Sequence, residues 1–395
     1  MKSNRIIIAF VIAGCVASPG VSSVPVTPSA ETTSAAPAGP SSPSGVPGSS
    51  AAALDPSLVP PGVIAYMWVG SDKVEHFFTV DTVGENEHAL FETMYCACIE
   101  WSPSGQEIWT VTETKTGLRH TTMDPDGSNV VVYTPDIETL NLVGGFGTAD
   151  GRHIGFFGWD DTKPSRQGIW AANANLTDLH QVTGVPEGVL GIDPIGMSED
   201  GSQIYFHGDL GENTENEFHH AGNVYVIRSD GTKLRQLNPV GTKTEITGEG
   251  LSVDGRELAF TAWEVGSADK GNALFLVDGK DGEARRVTDW TPGLWGAVWA
   301  PTGDWLATTQ DSASARVASL IRPDGTGLRP ISSDPGAGPS FGPVWSPDGL
   351  HFLVRRGEFH ANDLWIMDLQ GTFVWQVTHM PASYDVYAWA NPTLD

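Results

Sequence analysis

The stretch Trp345-Ser-Pro-Asp-Gly349, followed closely by the apolar run Phe352-Leu-Val-Arg355, decides the fold, because versions of it recur along the chain. Upstream stand Trp101-Ser-Pro-Ser-Gly105, Gly147-Thr-Ala-Asp-Gly151, Met197-Ser-Glu-Asp-Gly201, Leu251-Ser-Val-Asp-Gly255 and Trp299-Ala-Pro-Thr-Gly303; downstream stands Trp389-Ala-Asn-Pro392. Their first residues are 46, 50, 54, 48, 46 and 44 positions apart. A period of that length accommodates four short strands, the unit from which a β-propeller blade is made.

The strands can be read off each repeat. A second strand follows each Gly, as in Ile108-Trp-Thr-Val111, Ile154-Gly-Phe-Phe157, Ile204-Tyr-Phe-His207, Leu258-Ala-Phe-Thr261 and Leu306-Ala-Thr-Thr309. Third strands read as Gly168-Ile-Trp-Ala171, Asn223-Val-Tyr-Val-Ile227, Ala273-Leu-Phe-Leu-Val277 and Asp363-Leu-Trp-Ile-Met367, and fourth strands close on Gln181-Val-Thr183, Arg286-Val-Thr288 and Gln376-Val-Thr378. Asp-Gly pairs suit hairpin turns, since Gly accepts positive φ and Asp bonds nearby backbone. Residues 63–68, 76–81 and 88–91 read as second, third and fourth strands whose first strand is absent from the N-terminal side and is found near Tyr387-Ala-Trp389. The expectation is an all-β, seven-bladed β-propeller closed by N- and C-terminal strands in one blade, with six blades as the alternative. Trp101, Trp299, Trp345 and Trp389 are expected to pack between blades.

The Trp-Ser-Pro-Asp-Gly turn, the Ile-Ala-Phe-like strand after it and the Asp-Gly hairpin resemble the TolB-type propeller repeat, over residues 62–392. That family includes the usually six-bladed periplasmic TolB domain and relatives such as oligogalacturonate lyase. The resemblance implies binding of proteins and, in a minority of relatives, carbohydrate chemistry. Only the structural positions of the repeat match, so no catalytic residue carries over.

Composition bounds the partners. The 395 residues carry a formal charge of −26, and residues 1–60 contain only Lys2, Arg5, Glu31 and Asp55, which cancel. The excess therefore belongs to the propeller, whose acidic surface repels phosphate backbones and anionic headgroups, so no nucleic-acid partner is expected. Lys2 and Arg5 precede the apolar run from Ile6 to Ala13, the pattern of an export signal and too short to span a bilayer. The run ends Ile12-Ala-Gly-Cys15, which is similar to a bacterial lipobox, so residues 1–15 are expected to be a lipoprotein signal with lipidation at Cys15. Residues 16–60, mostly Ser, Pro, Ala, Gly and Thr, read as a disordered tether, and residues 61–395 as the propeller. The expected location is extracytoplasmic, on the bacterial cell membrane, through the lipid anchor only.

Four-stranded blades put the turns after strands one and three on one face and the strand two-to-three loops, with the interblade connections, on the other. The second, variable face is where binding residues are expected. Equivalent positions at the ends of second strands are Val69, Glu113, Trp159, Asp209, Trp263, Asp311 and Gly357. Glu113, Trp159, Asp209, Trp263 and Asp311, with Trp290 and Trp295 on nearby connections, are the candidate ligand-binding face, offering stacking platforms for sugars or anchors for a protein; the plainer reading is that the Trp cap the blades. The long segment His207–His220 offers His207, Glu217, His219 and His220, with Asp209, Glu212, Glu215, Asn213 and Asn216, a donor set for Ca²⁺, Mn²⁺ or Zn²⁺ or simply a solvated turn. Cys96 and Cys98 are placed either as a strained disulfide or as two buried thiols. No Gly-x-Ser-x-Gly elbow, His-Glu-x-x-His or phosphate loop is read in the chain. The expected function is non-enzymatic binding of a protein or cell-envelope glycan on the variable face. The alternative is a carbohydrate-active enzyme with a metal-assisted site on that face.

Overall fold

The computed structural model describes Pro56 and residues 59–390 apart from 70–73, 94–98, 149, 188, 190, 214–219, 239–243, 265–269, 281, 312–315, 332–339, 359–360 and 380–383. Residues 1–55 lie outside the described set, and with them Cys15, the export signal and most of the tether; so do Cys96 and Cys98.

The chain forms seven antiparallel blades. Blade 1 has the order Tyr384–Ala390, Val63–Val69, Glu75–Asp81, His88–Thr93, so the last strand of the chain is the innermost strand of the blade that begins it. The register Val63↔Ala390, Ile64↔Trp389 and Ala65↔Ala388 fastens the ring. The remaining blades start from Glu100–Trp101, Asn141–Gly147, Gly191–Met197, Thr244–Leu251, Leu294–Trp299 and Ser340–Trp345 as inner strands. Each blade after the first is thus contiguous in sequence, and seven rather than six is the count. Single bridges, Ala221↔Glu245 and Val317↔Ser340, link blades 4 to 5 and 6 to 7.

The chemistry of the repeated turn explains its letters. In blade 7 the Ser346 hydroxyl donates to Asp348 Oδ1 at 2.5 Å and accepts from the His351 amide at 2.9 Å, while the Leu350 amide donates to the same carboxylate at 2.9 Å. Gly349 sits at φ 70°, the left-handed region that a Cβ penalises. The same hydroxyl-to-carboxylate bond recurs from Thr148 to Asp150, Ser198 to Asp200 and Ser252 to Asp254. Hydrogen bonds from Ser202 and Ser198 hold the Asp200 carboxyl down at about 2. In blade 6, where Ala300 replaces the serine, Thr302 donates to Asp304 instead. The aspartate therefore binds the turn's own hydroxyl as well as its backbone, which the hairpin reading alone did not foresee.

The repeated Trp pack between blades. Trp345 lies 4.2 Å from the ring of Phe352 in its own blade and donates its indole N–H to the Val298 carbonyl of blade 6 at 3.1 Å. Trp389 belongs to a cluster with Ile64, Tyr66 and Val80 of blade 1 and Leu353, Leu364 and Ile366 of blade 7, so it seals the closure. Burying an indole of on the order of 200 Å² at each junction makes truncation there cost about 3–5 kcal/mol.

Blades 2 and 3 meet around two buried polar side chains. Arg119, 1% exposed, donates from Nη1 to the carbonyls of Leu118 and Leu140 and from Nη2 to Thr116 O, Thr116 Oγ1 and Glu138 O. Its fork stitches the third strand of blade 2 to the connection that enters blade 3. His120, 2% exposed, is enclosed by Trp109, Tyr133 and Phe156 at 5.0, 5.4 and 5.2 Å, and its Nε2 has no hydrogen-bond partner. Burial pushes its pKa down to about 4.

Candidate functional site

The variable face is assembled from the far ends of the second strands. Glu113 is the penultimate residue of Ile108–Thr114; it is exposed and pairs with Leu118 across a tight turn in which Thr114 donates to the Gly117 carbonyl at 2.7 Å. Trp159 ends His153–Trp159, half-buried and tilted against Phe157 at 5.8 Å. Trp263 is penultimate in Glu257–Glu264, half-buried, opposite Glu245. Asp311 ends Leu306–Asp311, opposite Arg316. These four occupy the level that the repeat assigns them.

Two positions differ from expectation. Asp209 is not a strand end: its strand runs on from Gln203 to Asn213, and Asn213 pairs with His220 of the returning strand His220–Arg228. The two strands of the blade 4 hairpin therefore extend beyond Asp209, with a register irregularity between Asp209 and Asn213 before the last pair, Asn213↔His220. Trp295 lies on the inner strand Leu294–Trp299, opposite Thr309, and not on a connection, so it belongs to the channel wall. Trp290 is on a connection, but it packs edge-on against Phe275 at 6.1 Å with the Arg286 guanidinium 5.6 Å from its ring, which makes it a cover for blade 5.

The cation expectation falls mainly outside what is described. Glu217 and His219 lie in residues 214–219, and of the His220 side chain nothing is described. His207 is half-buried on the inner part of the hairpin, between Asp193 and Val224, and its ring lies over Gly222, where an added Cβ would come within 1.9 Å of Nε2. Among the described residues no group of three or more His, Cys, Asp or Glu is placed to hold a metal ion.

Sequence reading missed the loop beside Trp159. Asp160 accepts hydrogen bonds from the Thr162 amide at 2.9 Å, Thr162 Oγ1 at 2.6 Å, Thr139 Oγ1 at 2.8 Å and Arg166 Nη1 at 2.6 Å. Hydrogen bonds from Thr162, with Arg166 and Thr139 adding to them, hold its carboxyl well below the usual range. A 3₁₀ turn, Pro164–Arg166, follows, and the Arg166 carbonyl accepts the Trp170 indole N–H at 3.0 Å. The signal was present in Asp160-Asp-Thr-Lys-Pro164, an Asx turn running into a Pro-started helical turn.

The letters Gly338-Pro-Ser-Phe-Gly342 match Gly-x-Ser-x-Gly, so the pattern is present in the chain, against expectation. Ser340, however, opens the strand Ser340–Trp345 and pairs with Val317 and Arg356. A nucleophile elbow needs the Ser on a sharp turn from strand to helix, and here the chain enters a strand.

No family model matches the chain, and no curated protein matches it. Among solved structures, TolB from Acinetobacter baumannii is similar at 15% identity with a TM-score of 0.50, over 84% of this chain and 67% of that one. The β-propeller domain of the Trilobed protease from Pyrococcus furiosus is similar at 12% identity with a TM-score of 0.56, over 80% and 94%. An oligogalacturonate lyase in complex with manganese is similar at 12% identity with a TM-score of 0.54, over 74% and 87%. The likeness is one of fold. This chain is a seven-bladed β-propeller of TolB-like architecture.

Proposed function

We propose that this chain is an extracytoplasmic lipoprotein whose propeller is a non-enzymatic binding module, holding a protein partner on the face that carries Trp159 and Trp263. The supporting observation is the half-buried indole of Trp159 beside a loop fixed by Asp160. An aromatic surface that is already ordered loses little entropy on contact, which is what distinguishes binding hot spots from ordinary exposed residues. The same indoles offer stacking faces to a sugar ring, so a cell-envelope glycan is the alternative ligand. The N-terminal segment would tether the module to the membrane through Cys15, leaving the acidic propeller free in solution.

The test is capture from envelope extracts on immobilised propeller, with bound protein and bound glycan both measured. Replacing Trp159 and Trp263 together by Ala is expected to abolish capture while circular dichroism stays unchanged. Undiminished capture overturns the reading. Release of unsaturated uronates from pectin fragments, followed by absorbance, would replace it with the carbohydrate-active alternative.

A further inference from the structure

The opposite face carries a cavity. A cavity of about 330 Å³ opens where the central channel meets the Ser-x-Asp-Gly turns, walled by inner strands and turns of blades 2 to 5. Its apolar wall includes Trp101, Trp109, Phe146 and Leu251, while Gly145, Gly147 and Gly196 contribute no side chains and so leave the space open. Glycine is needed there for clearance as well: an added Cβ at Gly145 would come within 3.0 Å of the His120 ring and 3.2 Å of Trp109.

Into this wall the short inner strand Glu100–Trp101 sets the Glu100 carboxyl. Among the described residues Glu100 has neither an ion-pair nor a hydrogen-bond partner, and desolvation alone raises its pKa to about 7. A half-buried carboxylate on a largely aromatic wall without a counter-charge is destabilised until a cation arrives with the ligand. Glu199, also on the wall, adds a second negative group. Aromatic faces attract cations in their own right, most of all when water is excluded. The volume is at the lower end of what small-ligand sites hold.

We propose that the channel mouth on the turn face binds an organic cation, an ammonium or guanidinium on an apolar stem, with Glu100 as its counter-ion and Trp101, Trp109 and Phe146 around the stem. This site is separate from the variable face, so it stands whether or not Trp159 and Trp263 hold a partner. The cation has two possible sources, a free amine or a basic side chain of a bound polypeptide, and both present the same chemistry.

Titration calorimetry on the propeller with cadaverine and agmatine covers the first source; Nα-acetyl-lysine methylamide and Nα-acetyl-arginine methylamide cover the second. Binding is expected in at least one pair, weakened by at least about tenfold in Glu100→Gln, as loss of a desolvated charge partner requires. Tighter binding of the amides assigns the pocket to a basic residue of a partner; tighter binding of the free amines assigns it to a small molecule. Nα-acetyl-norleucine methylamide, the uncharged counterpart, is expected not to bind. Thermal unfolding keeps the test independent of any failure of the variant to fold. Without ligand, Glu100→Gln is expected to melt higher than the parent because it removes an uncompensated carboxyl, and the cation that binds is expected to raise the parent's Tm and leave the variant's alone. Absence of heat with all four cations at millimolar concentration, equal affinity in Glu100→Gln, or equal binding of Nα-acetyl-norleucine methylamide overturns the proposal.

Discussion

Replacing His120 by Phe is expected to remove a slope from the pH dependence of stability. His120 is 2% exposed and enclosed by the rings of Trp109, Tyr133 and Phe156, so burial disfavours its imidazolium form. Burial lowers its pKa to about 4, against about 6.5 for the unfolded chain. Above about pH 6.5 neither state takes up the proton and His120 costs nothing electrostatically. As pH falls below that value the unfolded chain is protonated while the folded one is not, and stability drops by about 1.36 kcal/mol for each pH unit until the folded imidazole also titrates. Across the window from about 6.5 to about 4 the loss comes to roughly 3 kcal/mol, and it levels off below it. The assay is urea unfolding of parent and His120→Phe at half-unit steps from pH 7.5 to 4. The difference in unfolding free energy between the two proteins should be flat above pH 6.5 and should grow steadily in favour of Phe below it. A difference that stays constant across the whole range would refute the assignment of a neutral, buried imidazole.

Two further outcomes are expected. Arg119→Met keeps the buried stem but removes the donors to Leu140 O, Glu138 O and Thr116 O, and is expected to lower stability by about 3 kcal/mol in denaturant unfolding; Arg119→Lys should recover little of it, since a point charge cannot reproduce the fork, and full recovery would show that charge alone matters. Cys15→Ser is expected to move the protein from the detergent-soluble membrane fraction to the medium or periplasm, and a variant still on the membrane would refute the lipid anchor.

Much of the fold was legible because the propeller repeats a local code. Most of the turns combine a hydroxyl, a carboxylate and a residue at positive φ within a few positions, and Ser346, Asp348 and Gly349 show how those letters act together; in blade 2 Ser104 takes the place of the carboxylate against Ser102. The split blade was legible as well, since a missing first strand at one end and a spare one near Trp389 leave a single way to pair every edge. The candidate site was less legible. Second-strand ends could be counted along the repeat for Glu113, Trp159, Trp263 and Asp311, but Trp295 was misplaced because its letters do not say whether an aromatic residue lies before or within the inner strand. The length of the blade 4 insertion was plain in the spacing, whereas its conversion into a longer hairpin around Asp209 depends on backbone pairing with the partner strand.

What the sequence by itself determined is therefore whatever depends on neighbours within one repeat: strand order, the places of the turns and the packing role of the repeated Trp, with the structure deciding for seven blades over six. What only the tertiary structure decided is whatever depends on closing the ring. Glu100, Glu199, Phe146 and Leu251 come from four different blades and share one cavity only because the inner strands converge on a common axis. Arg119 and His120 owe their burial to the approach of blade 3 onto blade 2, and nothing in the letters Leu118-Arg-His-Thr121 distinguishes them from an exposed polar strand. A repeat fixes each blade locally through short-range hydrogen bonds, while the desolvation that lowers the His120 pKa is set by which blades end up side by side.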